Sequence, residues 1–178
     1  SGVVSTLCAM TGLKVLALEM PIRQQKDQAS RALEHIDFLK NKFPNVEGFT
    51  VDLNEPFEAL YKTFDVKDDE FPAEKLAFAN TRSRLRMLTL YYYGQINGLL
   101  VCGTGNKVED FGIGFYTKYG DGGVDVSPIA DLYKTEVYAL ARALDLPESI
   151  KNAIPTDGLW DVDRTDEQQI GATYPELE

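Results

Sequence analysis

The chain has 178 residues, enough for one domain with a substantial core, and its 28 acidic and 18 basic residues give a formal net charge of -10. A surface this acidic repels nucleic acid and anionic membranes, and the sequence holds no dense Lys/Arg cluster to offset the repulsion. No apolar run reaches the roughly 18 residues of a membrane-spanning helix. We therefore expect a cytoplasmic protein that binds neither nucleic acid nor membrane.

The cysteines and the single histidine narrow the chemistry further. Cys8 and Cys102 both lie in apolar runs, which favours two small buried thiols over a disulfide. His35 is the only histidine, so the chain contains no His-rich zinc site. No serine has a setting in the sequence that favours a Ser-His-Asp triad. Carboxylates, hydroxyls and basic side chains are the remaining candidates for chemistry.

In chain order, helical periods alternate with short apolar runs. The pattern predicts helices at 3–11, 25–42, from 54 onward, 73–93, 133–144 and 147–151, and strands at 14–20, 47–53, 99–102 and 124–129. Residues 63–72 lack periodicity and are predicted to form a loop, and the acidic end of the chain is predicted to be irregular. Strands that alternate with helices predict an α/β fold, with a doubly wound, mostly parallel sheet and helices on both faces.

Such a sheet needs a central strand before its first helix, and this sequence is helical almost from Ser1. The sequence also stops at Glu178 without a closing element. We therefore expect residues 1–178 to form a single domain that lacks its N-terminal strand, its phosphate loop and its C-terminal end, as a fragment of a longer protein.

Two neighbouring motifs carry the strongest signal for a nucleotide site. The predicted strand 99–102 is followed by Gly103-Thr-Gly-Asn-Lys-Val-Glu109, and then by Tyr116-Thr-Lys-Tyr-Gly-Asp-Gly-Gly-Val-Asp125. In open α/β sheets, ligands bind at the carboxyl ends of the strands. A hydroxyl and backbone N–H groups at that edge can hold phosphate oxygens, and a carboxylate is the hard ligand that Mg²⁺ prefers. The motifs therefore predict a site for a metal-bound nucleotide.

Further motifs occur in order along the chain. They are Met20-Pro21 with Gln25, Asn80-Thr-Arg-Ser-Arg-Leu-Arg-Met87, Asp131-Leu-Tyr-Lys-Thr-Glu-Val137, Pro155-Thr-Asp-Gly-Leu-Trp160, Thr165-Asp-Glu167 and Ile170-Gly-Ala-Thr-Tyr174. Together with the two glycine-containing motifs, they resemble the ATP-dependent NAD synthetases, which are N-type ATP pyrophosphatases with an adenine-nucleotide-hydrolase-like (HUP) fold. The ordered set is far more specific than any one of its members.

The resemblance implies a ligase that forms NAD from deamido-NAD, ATP and ammonia, with Mg²⁺ as its metal. The nicotinate carboxylate of deamido-NAD would attack the α-phosphate of ATP, pyrophosphate would leave, and ammonia would displace AMP from the adenylated intermediate. Such an enzyme acts mainly by positioning and charge stabilisation. The sequence leaves open whether the ammonia is free or is supplied from glutamine by a fused amidase domain.

The sequence departs from the family in the phosphate loop, which has the pattern Ser-Gly-Gly-x-Asp-Ser. Only the last serine of that loop matches, as Ser1, and the loop's metal-binding aspartate would lie upstream of Ser1. The basic residues that close over the substrate near the family's C-terminal end are also absent. A molecule that truly began at Ser1 and ended at Glu178 is therefore expected to be inactive.

The ATP site implied by the resemblance consists of Ser1, Met20, Gln25, Thr104, Lys134 and Thr156, with Glu109 as the metal ligand. Most of these residues also have a structural alternative. Thr104 has the residue type of a helix N-cap, and Glu109 that of a solvated carboxylate. The alternatives are an exposed helix lysine for Lys134, a cap or turn residue for Thr156 and a core residue for Met20.

The deamido-NAD site implied by the resemblance consists of Arg84, Lys118 and Asp125. Arg82, Arg84 and Arg86 alternate along one predicted helix, so neighbours in this series point about 200° apart and the three do not share one face. The resemblance selects Arg84, with a solvated surface arginine as the alternative. The glycines at positions 120, 122 and 123 would permit positive φ angles and close backbone approach. The alternative for this loop is a tight turn between helix and strand.

Three functions remain compatible with these residues. The first is NAD synthetase. The second is another N-type ATP pyrophosphatase, either GMP-synthetase-like or tRNA-thiolating, although a tRNA enzyme calls for a basic face that this acidic chain lacks. The third is a non-catalytic nucleotide-binding module, which would leave the features of Arg84, Lys118 and Asp125 unexplained.

The resemblance also implies a homodimer. The helix predicted at 73–93 is rich in apolar and aromatic residues and is the expected contact surface. Its Tyr91-Tyr-Tyr93 segment, like Phe115-Tyr116, has two readings, because aromatic rings stack on nicotinate or adenine but also fill cores and interfaces.

Overall fold

The structure is a computed structural model that describes residues 1–24, 26–66, 72–156, 158–159 and 165–178. Its strands are β1 (Val15–Glu19) and β2 (Val46–Thr50), and its helices are α1 (Gly2–Met10), α2 (Lys26–Lys42), α3 (Asn54–Thr63), α4 (Pro72–Asn97), α5 (Lys134–Ala143), α6 (Glu148–Lys151), α7 (Asp166–Ile170) and α8 (Tyr174–Leu177). A π-helix, Lys107–Ile113, lies between α4 and α5. The sequence predictions for β1, β2 and α1 to α6 are confirmed to within a few residues.

The two strands form a parallel pair whose connection runs through α2. The register pairs Val15 with Val46 and Glu19 with Thr50. Parallel strands cannot be joined by a tight hairpin, so the 17-residue α2 supplies the crossover. Leu39 on α2 is fully buried and packs with Ala9 of α1 and Val46 of β2. This packing holds α1 and α2 against the strand pair.

The predicted strands at 99–102 and 124–129 are wrong as continuous strands. In the described part of the chain, their pairing is reduced to one parallel bridge between Cys102 and Val126. The backbone N–H of Val101 donates to Asp125 Oδ2 at 2.7 Å instead of to a neighbouring carbonyl. Because the Asp125 side chain takes this backbone donor, the parallel hydrogen-bond pattern does not extend from Cys102 back along residues 99–101.

The prediction of an irregular C-terminal end is also wrong. Thr165 and Gln168 form a capping box at the start of α7, with each side chain accepting from the other residue's backbone N–H at 3.2 and 3.0 Å. The backbone N–H of Thr173 donates to Glu176 Oε2 at 2.8 Å at the start of α8. The spacing of Thr with Gln or Glu three residues later was the available signal. Of the predicted loop at 63–72, residues 67–71 lie outside the described part.

Two further core clusters fix the surroundings of the strand ends. Ile22 and Phe57 are completely buried, and they pack with Leu53 and Phe78 between the segment after β1, α3 and α4. Burial of a side chain of this size stabilises the fold by about 1.5–3 kcal/mol. In a separate cluster, Val3 and Val4 of α1 pack with Ile129, Ala141 and Leu146. Leu132, two residues before α5, packs against this cluster, and Met20 packs against the first.

The two thiols lie in contact beside the second of these clusters. The Sγ atoms of Cys8 and Cys102 are 3.5 Å apart, and both residues are half-buried and not bonded as a disulfide. Burial, followed by the hydrogen bond and charge of Cys102, raises the pKa of Cys8 to about 11. The apolar setting predicted for both residues is therefore observed, although neither is completely buried.

Helix α4 is the longest helix described, with 26 residues. No helix in the described ranges combines the length and apolarity that a membrane crossing needs. Leu88, Tyr92 and Ile96 follow one another at intervals of four residues on α4 and are 66, 59 and 62% exposed. This spacing places them on one face of the helix, which therefore presents an apolar stripe.

Candidate functional site

The π-helix begins at a capping residue that lies just before Glu109. Asn106 is 2% exposed, and its Oδ1 accepts hydrogen bonds from the backbone N–H groups of Val108 and Glu109, both at 3.0 Å. Gly114 ends the helix with a φ of 69°, a left-handed conformation that favours glycine. The alternative reading of Thr104 as a helix N-cap is wrong, because Asn106 is the cap and Thr104 is exposed two residues earlier.

Glu109 is held by two side chains from other elements. Its Oε1 accepts from Lys134 Nζ at 2.8 Å and from the Tyr174 hydroxyl at 2.6 Å, and its side chain is only 14% exposed. Burial alone would raise the pKa of Glu109. The charge and hydrogen bond of Lys134, with the hydrogen bonds of Tyr174 and Asn106, outweigh burial and lower this pKa. Glu109 is thus held as a carboxylate, and the reading of a merely solvated residue is wrong.

Lys134 occupies the first position of α5 and is as enclosed as its partner. Its side chain is 16% exposed, and Nζ lies 4.7 Å from the centre of the Tyr174 ring. The backbone nitrogen of Ser1 lies within electrostatic range of both Lys134 and Glu109. Ser1, Glu109 and Lys134, three of the residues predicted for the ATP and metal site, therefore lie close together. The alternative of an exposed helix lysine is wrong.

The donor set around Glu109 fits Mg²⁺ of the kind that is held mainly by a nucleotide. The hydrogen bonds from Lys134 and Tyr174 both converge on Oε1. Within the described residues there is no group of three or more His, Cys, Asp or Glu side chains that could form a metal cage. Mg²⁺ commonly takes one or two carboxylates and completes its shell with phosphates and water. One carboxylate oxygen beside a lysine suits that role.

A second carboxylate follows Glu109 and lies against the glycine at position 105. A Cβ at Gly105 would collide with the Asp110 carboxylate, so only glycine permits this approach. Burial, then the charges of Asp121 and Glu109, raise the pKa of Asp110 to about 6. Because both charges act on Asp110, the loop that contains Asp121 lies near the start of the π-helix.

That loop is fastened to α4 by short polar contacts. Asp121 Oδ1 accepts from Ser83 Oγ at 2.6 Å and from the backbone N–H of Thr117 at 3.0 Å, and Thr117 Oγ1 donates to Asn80 Oδ1 at 2.7 Å. The glycines at 120, 122 and 123 do not use the positive φ that they would permit, and Tyr119 takes that conformation with a φ of 65°. The glycines instead permit close approach, because a Cβ at Gly120 would collide with Ser83.

The three arginines of α4 have three different environments. Arg82 is 4% exposed and lies over the Phe57 ring at 4.9 Å. Arg86 is half-buried and donates to the carbonyl of Met20 at 3.2 Å and to Gln24 Oε1 at 2.7 Å, which fastens the segment after β1. Arg84 is exposed, as a ligand contact requires. The resemblance had selected this residue.

Two of the residues predicted for deamido-NAD are brought together. Arg84 Nε donates to the backbone carbonyl of Lys118 at 3.0 Å, and both side chains are exposed. The Lys118 Nζ lies 5.1 Å from the centre of the Tyr119 ring. Two cationic groups therefore stand on one exposed surface of an otherwise acidic chain.

The third predicted residue, Asp125, has a structural function in this conformation. Its Oδ2 accepts from the Val101 backbone at 2.7 Å, and its Oδ1 accepts from the Tyr91 hydroxyl at 3.1 Å. Asp125 thereby connects the bridge segment to α4. These bonds support the structural alternative, and its contact with a substrate stays a prediction.

The remaining predicted residues are less engaged. Met20 is partly buried and packs against the Ile22 cluster, which agrees with its alternative interpretation as a core residue. Thr156 is exposed, and its Oγ1 accepts from the Gly158 backbone at 3.3 Å, which is the turn alternative. Gln25 lies outside the described residues. Contacts of all three with ATP stay predictions.

Sequence reasoning missed two residues that organise the site. Tyr174 was part of a family-like motif but received no function, and Asn106 lay unremarked inside the glycine-containing motif. A signal existed for Asn106, because Asn favours helix N-caps. Nothing local marked Tyr174, whose contact with Glu109 spans 65 positions of sequence.

Comparison with known proteins supplies an independent line of evidence. A family model described as NAD synthase matches residues 1–178. The NH(3)-dependent NAD(+) synthetase of Finegoldia magna is 39% identical over 179 aligned residues, which cover 100% of this chain and 69% of that protein.

Two solved structures have the same fold over most of the chain. The NMN synthetase from Francisella tularensis is similar with a TM-score of 0.87 and 34% identity, over 99% of this chain and 70% of that one. An NH3-dependent NAD synthetase from Campylobacter jejuni is similar with a TM-score of 0.68 and 32% identity, over 85% of this chain and 64% of that one. The chain thus spans about two thirds of the length of these relatives.

Proposed function

The chain belongs to the NAD synthase family, and on that premise we propose that its protein is a carbon–nitrogen ligase that forms NAD from deamido-NAD, ATP and ammonia. The observation that carries this proposal is the Lys134–Glu109 pair, 2.8 Å apart and largely enclosed. In that position, the Lys134 cation complements the charge of the phosphates, and the Glu109 carboxylate complements the metal ion of a metal-bound triphosphate.

We infer that the fold is a doubly wound sheet of the adenine-nucleotide-hydrolase-like (HUP) class. Such a sheet is built from parallel strand–helix–strand units, and β1, α2 and β2 form one. The second parallel pairing, at Cys102 and Val126, lies next to Gly103 and Thr104. Ligands of open α/β sheets bind outside the carboxyl ends of the strands, where these residues lie.

In the proposed reaction, a carboxylate must acquire a leaving group before ammonia can displace it. The nicotinate carboxylate attacks the α-phosphate of ATP, pyrophosphate leaves, and ammonia then attacks the acyl adenylate and releases AMP. Lys134 offsets negative charge on the phosphates by exchanging its contact with Glu109 for phosphate oxygens. Thr104 is exposed at the strand end and offers its hydroxyl and backbone N–H to the same group.

Glu109 is the residue that would hold Mg²⁺, through the oxygen that Lys134 and Tyr174 leave unused. The metal would supply charge neutralisation on the departing pyrophosphate. Glu109 remains a carboxylate over the physiological pH range, since its pKa is lowered despite burial. Nearby Asp110 is partly protonated below neutral pH, which limits the repulsion between the two carboxyl groups.

We place deamido-NAD against the exposed Arg84 and Lys118. The diphosphate of a dinucleotide is anionic, and this chain carries a net charge of -10, so binding needs a local cationic surface. Arg84 and Lys118 provide one, and the Arg84 bond to the Lys118 carbonyl keeps the two residues together. Asp125 stays a candidate contact on the same side of α4.

We propose that two copies associate through α4. The stripe of Leu88, Tyr92 and Ile96 is strongly exposed, which is unfavourable for an isolated helix face in water. A homodimer would bury this stripe against its own copy. The cytoplasmic location and the source of ammonia stay open.

A second candidate is NMN synthetase activity, and the similarity to the Francisella tularensis protein favours it. The amide-forming chemistry would be the same, with nicotinate mononucleotide in place of deamido-NAD. The two candidates differ in whether the adenylate half of the acid substrate is needed.

The test is AMP release by the full-length protein with Mg²⁺ and ammonia, and with deamido-NAD or nicotinate mononucleotide as the acid. AMP that appears only with deamido-NAD supports the first candidate, and AMP with nicotinate mononucleotide supports the second. AMP formation with xanthylate or tRNA instead would exclude both.

A further inference from the structure

The segment that contains α7 and α8 is attached to the Glu109 site through one side chain. Tyr174 is 3% exposed, its hydroxyl donates to Glu109 Oε1 at 2.6 Å, and its ring lies beneath Lys134 Nζ. A single residue therefore contacts both members of the central ion pair. The proposed steps of the NAD synthetase reaction assign no function to Tyr174.

A second carboxylate lies within reach of the same hydroxyl. Asp166 Oδ2 is 3.2 Å from the Tyr174 oxygen, and Asp166 is 6% exposed. A tyrosine hydroxyl carries one proton, so it donates to one of the two carboxylates at a time. The shorter distance indicates that the hydroxyl donates its hydrogen bond to Glu109 in this conformation, and Asp166 is the alternative acceptor.

The segment has an additional attachment that does not involve Tyr174. The backbone N–H and the hydroxyl of Thr135 donate to the Glu178 carboxylate at 2.9 and 2.6 Å. Docking of the segment on α5 therefore does not depend on the tyrosine hydroxyl alone. The two attachments can be tested separately by mutation.

We propose that Tyr174 is a positioning residue for Glu109. Its hydroxyl fixes Oε1 and thereby orients the carboxylate towards a cation, and its ring keeps Lys134 beside the same carboxylate. When Lys134 moves to a phosphate and Glu109 binds a cation, Asp166 accepts the hydrogen bond from the Tyr174 hydroxyl. The buried hydroxyl is therefore not left without a partner. Residues that orient a metal-binding carboxylate typically change metal affinity by about 10- to 100-fold when they are lost.

This function presupposes the ligase activity proposed above, and binding measurements distinguish the two. The probe is α,β-methylene-ATP, which cannot lose pyrophosphate, titrated calorimetrically into the full-length protein with Mg²⁺ or with EDTA. The ratio of the two affinities measures the contribution of the metal without turnover.

The Tyr174→Phe variant keeps the ring and removes only the hydroxyl. It is expected to lose about 10-fold in affinity for the analogue with Mg²⁺, while the affinity in EDTA stays within about 2-fold of that of the parent. An unchanged affinity in Mg²⁺ would overturn the proposal, as would an equal loss in Mg²⁺ and in EDTA.

Two controls separate positioning from simple loss of structure. Tyr61→Phe makes the same chemical change on α3 and is expected to leave both affinities unchanged. Glu178→Ala removes the Thr135 attachment, and a 10-fold loss in Mg²⁺ from this variant would contradict the assignment to Tyr174. If the parent protein itself showed no Mg²⁺-dependent binding, the proposed ligase function would fail first.

Discussion

Two parts of the site differ in how their charged residues are held. Glu109 and Lys134 are enclosed and joined by side-chain hydrogen bonds, with 14 and 16% of their side chains exposed. Arg84 and Lys118 are exposed, and the hydrogen bond between them runs from the Arg84 side chain to the backbone carbonyl of Lys118. The charges of the first pair are oriented before a ligand arrives, whereas those of the second pair are open to solvent.

This difference matches what each part is proposed to bind. A triphosphate concentrates its charge in a small volume, and preorganised charges are most effective where charge develops during the reaction. A dinucleotide is extended, and long exposed cations can adapt to it. We therefore expect mutations in the enclosed pair to affect catalysis most, and mutations in the exposed pair to affect mainly the binding of the acid substrate.

The largest expected effect comes from the enclosed pair. Lys134→Met removes the cation that faces the phosphates and leaves Glu109 without its partner. We expect kcat/KM for ATP to fall by about 100- to 1000-fold, as for other losses of a preorganised charge. Lys107→Met removes a nearby lysine that contacts the Tyr133 ring instead and should change the same ratio by less than about 3-fold. Equal losses in both variants would contradict the assignment of Lys134 to the phosphates.

Acid pH tests the packing of α1 against α2, where His35 is buried. His35 Nε2 lies 2.8 Å from Ser5 Oγ on α1, and burial is the largest cause that lowers the pKa of His35 to about 4. The unfolded chain binds this proton at a pKa near 6.5. The folded chain resists protonation, so stability falls as the pH drops from about 6.5 towards 4.

His35→Gln removes this titration. After allowance for partial solvent screening, we expect the parent to lose about 2 kcal/mol more stability than the variant between pH 7 and pH 4. Denaturant unfolding at several pH values measures the difference. Parallel pH profiles for the two proteins would show that His35 is not protected from protonation in the fold.

A smaller effect is expected from the exposed pair. Arg84→Ala should raise KM for deamido-NAD by about 10-fold with kcat nearly unchanged, because the arginine contributes to substrate binding alone. Arg142→Ala removes an exposed arginine from the last turn of α5 and serves as the matched control. A fall in kcat without a change in KM would place Arg84 with the catalytic charges.

The smallest expected effect is the response to salt. Exposed charges are screened over about 10 Å at 0.1 M ionic strength, and enclosed pairs much less. Raising the salt concentration from 0.05 to 0.5 M should increase KM for deamido-NAD by about 2- to 5-fold and change KM for ATP less. The Arg84→Ala variant should lose most of this response. A stronger salt dependence for ATP would reverse the comparison.

The sequence predicted the parts of the molecule that local pattern controls. The periods of α1 to α6 and of β1 and β2 were readable because each element has its own apolar face. The family assignment was also correct, because ordered motifs over the whole chain are specific. The runs at 99–102 and 124–129 looked like strands, yet the Asp125 carboxylate takes the donor that a ladder would need.

The site was predictable in its residue types but not in its connections. Glu109 and Lys134 were named from the resemblance, and the structure shows them in contact. Their link to Tyr174 depends on how the last segment folds back, which no local period records. The glycine-rich loop shows a similar limit, since its positive φ falls on Tyr119, and the glycines serve close packing instead.

The most direct test is a crystal structure of the full-length protein with Mg²⁺ and α,β-methylene-ATP. We expect a Glu109 oxygen to coordinate Mg²⁺ at about 2.0–2.1 Å, with Lys134 Nζ moved from Glu109 to a phosphate oxygen. A nucleotide bound elsewhere, with the Lys134–Glu109 contact intact, would contradict the assignment of this pair to the triphosphate.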